Sequence, residues 1–65
     1  MMSFYNRYFL AYIDATQEKR DEARAHWIKC DAENRASNRP DLIMFSTKML
    51  TTIILAQQVV DKFNK

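Results

Sequence analysis

A chain of 65 residues with no glycine and a single proline has few means of reversing direction tightly. Two-residue hairpin turns and bulges rely on backbone with positive φ, which glycine supplies at no steric cost. An average chain carries about 7% glycine, so its absence argues against an all-β fold and for long helices joined by few corners. One corner is marked, in "ASNRPD" from Ala36 to Asp41. Asn38 can take the left-handed conformation that ends a helix, Pro40 suits the first turn of the next, and its ring disfavours helix at Arg39. Asn38 and Asp41 also have the spacing of a capping box. One helix is expected to end near Ser37 and another to begin at Pro40 or Asp41.

Beyond the corner, Leu42, Phe45, Met49, Ile53, Ala56, Val60 and Phe63 recur with the period of an amphipathic helix. A second row, Ile43, Leu50 and Ile54, lies beside the first and widens the apolar face, while Lys48, Thr51, Gln58 and Lys62 mark the wet side. A single antiparallel helix covers one row. Covering both calls for a further neighbour, which is the sequence argument for a dimeric helical bundle. The segment Leu42 to Val60 has the roughly 20 residues that span a bilayer. Lys48 near its middle costs about 2.5–3.5 kcal/mol on insertion scales, and Ser46, Thr47, Thr51, Thr52, Gln57 and Gln58 add polarity. A membrane span is therefore not expected.

Before the corner, Tyr5, Phe9, Tyr12, Thr16, Lys19, Ala23, Trp27 and Cys30 fall on one helical stripe, which weakens through "DATQEKRDEARA". Two readings follow: a helical hairpin with one long continuous arm, or three helices at about Ser3–Thr16, Lys19–Ser37 and Pro40–Asn64 with a turn near Glu18 to Arg20. Because "TQEKRDE" contains neither Gly nor Pro, the long arm is preferred. Lys29 with Glu33 and Asp31 with Arg35 are spaced for surface ion pairs. Either reading gives an all-α single domain over residues 1–65. A chain this short buries only roughly 60% of its unfolded surface, so a partner subunit is expected to supplement the core. Cys30 is the single cysteine. With no disulfide and no secretory pattern at the N-terminus, the cytoplasm is the expected location.

The run "FYNRYFLAY", Phe4 to Tyr12, holds five of the eight aromatic residues. Exposed aromatics beside Arg can stack on bases, yet the net charge of +2 is small and its signs are interleaved. Helical spacing assigns the run to the core or a dimer interface, together with Trp27 and with Leu42, Phe45, Met49, Leu50, Ile53, Ile54, Val60 and Phe63. His26 and Cys30, one turn apart, are two of the four ligands that a structural zinc site takes. A second pair is missing from the chain, so no metal or other cofactor is expected. No phosphate loop or nucleophile–base set occurs. The acidic row Asp14, Glu18 and Glu22 suits a solvated helix face, and no enzymatic activity is expected. A DNA-binding alternative would set Arg20, Arg24, Lys29 and Arg35 against phosphates. Another alternative is a structural subunit of a larger assembly.

The stretch "YFLAYIDATQEKRDEARAHWIKCDAENRAS" resembles the helical segment of small early proteins encoded beside the excisionase gene in lambda-like temperate phages. Its Ala-Arg-Ala-His-Trp core and Asn-Arg corner also resemble helix-pair repeats of the tetratricopeptide sort, of which one unit cannot form a solenoid. The phage resemblance implies an accessory protein that modulates host physiology or the choice between lytic growth and lysogeny. It implies no catalytic or binding residue. The expectation is thus a homodimer that acts on a host protein, with Asp14, Glu18, Arg20, Asp21 and Arg24 as its partner surface.

Overall fold

The structure, a computed structural model, describes residues 2–63. The fold is all-α, with α1 at Phe4–Asp14, α2 at Gln17–Ala36 and α3 at Pro40–Phe63. Asn64, where the last helix was expected to end, lies outside the described residues. Three helices replace the preferred continuous arm, and the break falls at Ala15 and Thr16 rather than near Glu18 to Arg20. No helix breaker is needed there, because both new ends are capped. Ala15 and Thr16 are extended, the Ala15 N–H donates to the Tyr12 carbonyl at 3.2 Å, and Thr16 Oγ1 accepts from the Lys19 N–H. Thr16 thereby satisfies a donor that the first turn of α2 leaves open. Ser3 does the same for α1 through the Asn6 N–H.

The second corner forms where the sequence placed it. Asn38 has φ 51°, the Asn38 N–H donates to the Arg35 carbonyl, and the Arg39 N–H donates to the Asn34 carbonyl, each at 3.2 Å. That pair of bonds is a Schellman closure, with asparagine standing where glycine is commonest. Asn38 is thus committed to the end of α2 and lies one residue too early to cap α3, so the expected Asn38–Asp41 capping box is not made. Asn34 Nδ2 reaches across the corner to the Leu42 carbonyl at 3.0 Å.

Both α1 and α2 pack on α3. Tyr5 lies beside Phe45 and Tyr12 bonds to Gln57, so α1 runs in the same direction as α3. Arg24 lines a groove with Gln57 while Asp31 meets Ser46, so α2 runs against α3. The buried line of α3 is Ser46, Met49, Ile53, Ala56 and Val60, joined by Tyr12 from α1. Tyr8, Phe9, Ile13, Ala23 and Trp27 close over it half-buried. Beyond the N-terminal run, three residues expected in the core or interface are exposed in the single chain: Leu42 at 41%, Ile54 at 58% and Phe63 at 79%. Leu42 and Phe63 stand near the two ends of α3, and Ile54 turns away from the covered line. The molecule measures 39 × 28 × 15 Å, a slab in which α3 runs between its two neighbours.

By length and composition α3 alone, among the described residues, is apolar enough to cross a membrane. In this fold α1 and α2 cover its central line, and Lys48 at mid-length holds its ammonium 5.3 Å from the Tyr5 ring centroid.

Candidate interaction surface

The N-terminal aromatic run acts as a cover for α3. Phe4, Tyr5 and Trp27 ring the Phe45 side chain at centroid distances of 6.1, 6.3 and 5.4 Å. Trp27 Nε1 donates to the Tyr8 hydroxyl at 3.1 Å, and the Tyr12 hydroxyl donates to Gln57 Oε1 at 2.6 Å. Burial raises the Tyr12 pKa above its ordinary value, against the opposing pull of Arg24 and Arg20. Each buried ring therefore keeps a partner for its polar atom, as amphipathic aromatics require. Phe4 departs from this cover at its outer edge, remaining 55% exposed.

The partner surface expected from Asp14 to Arg24 is revised at Arg20. Its side chain is only 7% exposed, and its guanidinium turns back onto the end of α1. Nη1 donates to the carbonyls of Tyr12 at 3.5 Å, Ile13 at 3.1 Å and Ala15, while Nε donates to Gln17 Oε1 at 3.1 Å. The last turn of any helix leaves carbonyls without internal partners. Arg20 collects them with one planar fork, which explains how so short a corner is stabilised without glycine. The surface that remains is Asp14, Glu18, Asp21 and Arg24, all exposed. Asp21 accepts from Arg24 at 3.0 Å and from Gln17 at 2.8 Å.

Between α2 and α3 lies a polar network that sequence spacing only half revealed. The expected Asp31–Arg35 pair forms at 2.7 Å, whereas Lys29 and Glu33 do not pair among the described residues. Ser46, fully buried, sets its hydroxyl 2.7 Å from Asp31 Oδ1 and 3.1 Å from the Ile43 carbonyl, and Arg35 Nη2 donates to Thr47 Oγ1 at 3.2 Å. The Ser46 hydrogen bond, then Arg35, hold the Asp31 carboxyl below its ordinary pKa. Ser46 stands on the same helical row as Met49 and Ile53, the one signal that its hydroxyl would be enclosed.

Of the cations a DNA-binding reading would use, Arg20 is buried and Arg24 and Arg35 are ion-paired. His26 Nε2 and Cys30 Sγ stand 3.5 Å apart on one face of α2. Among the described residues, no group of three or more His, Cys, Asp or Glu side chains converges to hold a metal ion.

Two open grooves flank the outward side of α3. One, on the α2 side, is lined by Arg24, Ile53, Ile54, Gln57, Gln58 and Asp61. The other, on the α1 side, is lined by Phe9, Leu55, Gln58, Val59 and Lys62. Ile28, which the sequence stripe did not include, is 55% exposed one turn along α2 from Arg24. Compared with known proteins, the chain matches no protein-family profile, no curated protein and no solved structure.

Proposed function

We propose that this chain is a small non-enzymatic interaction protein that works as a homodimer and regulates by binding another protein. The observation that carries the reading is the surface the single chain leaves uncovered. A compact monomer of 7.7 kDa exposes about 4,300 Å² by the size scaling of folded proteins, whereas this chain exposes 5001 Å². The larger exposed surface goes with a slab-shaped chain, 39 × 28 × 15 Å, that leaves apolar side chains uncovered. Its radius of gyration, 12.5 Å, likewise exceeds the roughly 11 Å of a compact domain of this length. Ile28 and Ile54 are each more than half exposed, and a core this small stands to gain from covering them.

The resemblance to early-region phage proteins extends the reading. On that basis the chain is an accessory protein of the host-cell cytoplasm, and its target is a host protein. The exposed Asp14, Glu18, Asp21 and Arg24 at the start of α2 supply the surface for occluding or recruiting that target. Size-exclusion chromatography with light scattering tests the dimer. A mass of twice 7.7 kDa is expected at micromolar concentration, and a folded monomer under those conditions overturns the proposal.

A further inference from the structure

We infer that the second copy docks on the outward seam between α2 and α3, with the two α3 helices antiparallel across a two-fold axis. The inference rests on the self-association reading and specifies its face and orientation. Two rows meet along this seam. Ala25, Ile28 and Ala32 follow at helical spacing on the outer edge of α2, all exposed, and Ile43, Leu50 and Ile54 follow on the adjoining edge of α3. These α3 residues are the second apolar row of the sequence. Neither α1 nor α2 buries them fully: Ile43 and Leu50 are half-covered and Ile54 is 58% exposed. The alanines keep the α2 edge low, so another helix can approach closely. Beside the seam Thr51 turns its hydroxyl to the Thr47 carbonyl of its own helix at 2.9 Å, so its hydroxyl does not stand as an open donor toward an incoming surface.

Charge decides the orientation. At one end of the seam Arg35 is 58% exposed while its partner Asp31 is withdrawn to 16%, so the surface presents a cation. At the other end Arg24 pairs with Asp21 and lines the groove with Asp61, a carboxylate that accepts from Gln57 at 2.9 Å. That end presents a net negative charge. A parallel pair would set Arg35 against Arg35 and Asp61 against Asp61, and like charges facing one another across an interface are costly. An antiparallel pair sets Arg35 of each copy toward Asp61 of the other and is isologous, as a closed two-fold dimer must be. The outcome is a four-helix arrangement of two α2 and two α3, with each α1 on its outer flank. The α1-side groove of Phe9, Leu55 and Val59 is left outside.

Light scattering on single variants tests the face. Ile54→Glu and Ile28→Glu, both exposed in the single chain, are expected to retain helicity by circular dichroism and to halve the mass. Leu55→Glu, one residue away on the other side of α3, is expected to leave the dimer intact. A dimer that survives both seam variants, or one lost only in Leu55→Glu, overturns the face while self-association stands. A wild-type monomer overturns the self-association reading itself. Orientation is read in a Cys30→Ser background: mixing Thr47→Cys with Gln58→Cys is expected to give the mixed disulfide dimer, and Thr47→Cys alone is expected not to cross-link. A Thr47→Cys homodimer, or no mixed disulfide, overturns the antiparallel arrangement.

Discussion

Arg20 shows how one side chain can define a corner. Its guanidinium serves the carbonyls of Tyr12, Ile13 and Ala15 where α1 ends, a place where the last turn leaves acceptors open. Arg20→Ala is expected to cost about 2 kcal/mol, the scale of leaving buried polar groups unsatisfied. Arg24→Ala, removing an exposed pair, is expected to stay within about 0.5 kcal/mol. Urea unfolding of the two variants side by side checks the contrast. Asp31 gives a second residue-scale expectation. Its folded carboxyl loses its proton more readily than the unfolded one, whose ordinary value is 3.8. The stability it contributes is therefore complete above that value and is lost as pH falls through the lower folded value. Thermal melts in acid should show wild type losing more stability than Asp31→Asn below about pH 4. Equal acid slopes for the two proteins would remove Asp31 from this role. Neither role was legible in the sequence: one arginine among alternating charges looks like a surface residue, and only the fold of the chain at Ala15 brings the α1 carbonyls within its reach.

At the scale of elements, the two corners differ in how openly the sequence announces them. "ASNRPD" combines a left-handed residue with a proline, and the Schellman closure at Asn38 follows from those residue types alone. Because Asn38 already has φ 51°, Asn38→Gly is expected to be neutral or slightly stabilising. Asn38→Val, whose branched side chain resists that conformation, is expected to cost about 1–2 kcal/mol; chemical denaturation distinguishes the two. The corner at Ala15 and Thr16 carries only a threonine N-cap, a signal frequent enough inside helices to be passed over. Thr16→Ala is expected to lower stability by about 1 kcal/mol, a loss that the same denaturation curves would register. The last helix was legible almost throughout, since its apolar row at Met49, Ile53, Ala56 and Val60 is the row that is buried. Ser46 interrupts that row with a hydroxyl, and its enclosure depends on Asp31 arriving from a different helix.

For the whole molecule, thickness is the telling dimension. A slab 15 Å thin gives α3 neighbours on two sides and leaves its outward side bare, which is why the second apolar row remains available. If that row closes against another copy, folding and association are coupled, and the melting temperature is expected to rise with protein concentration. Melts over a hundredfold range of concentration check this, and a constant melting temperature counts against the dimer. The Ile54→Glu variant is expected to melt lower than wild type and independently of concentration.

Residue types along the chain were enough for the helical class, the Asn38 corner and the buried row of the last helix. All of these follow from local rules: backbone preferences of single residues and the 3.6-residue period along one chain segment. The break in the first arm, the turning of Arg20 onto the end of α1 and the enclosure of Ser46 with Asp31 came instead from how the helices pack. Each depends on groups distant along the chain being brought together in space, and a periodic pattern within one segment holds no record of which other segment will meet it.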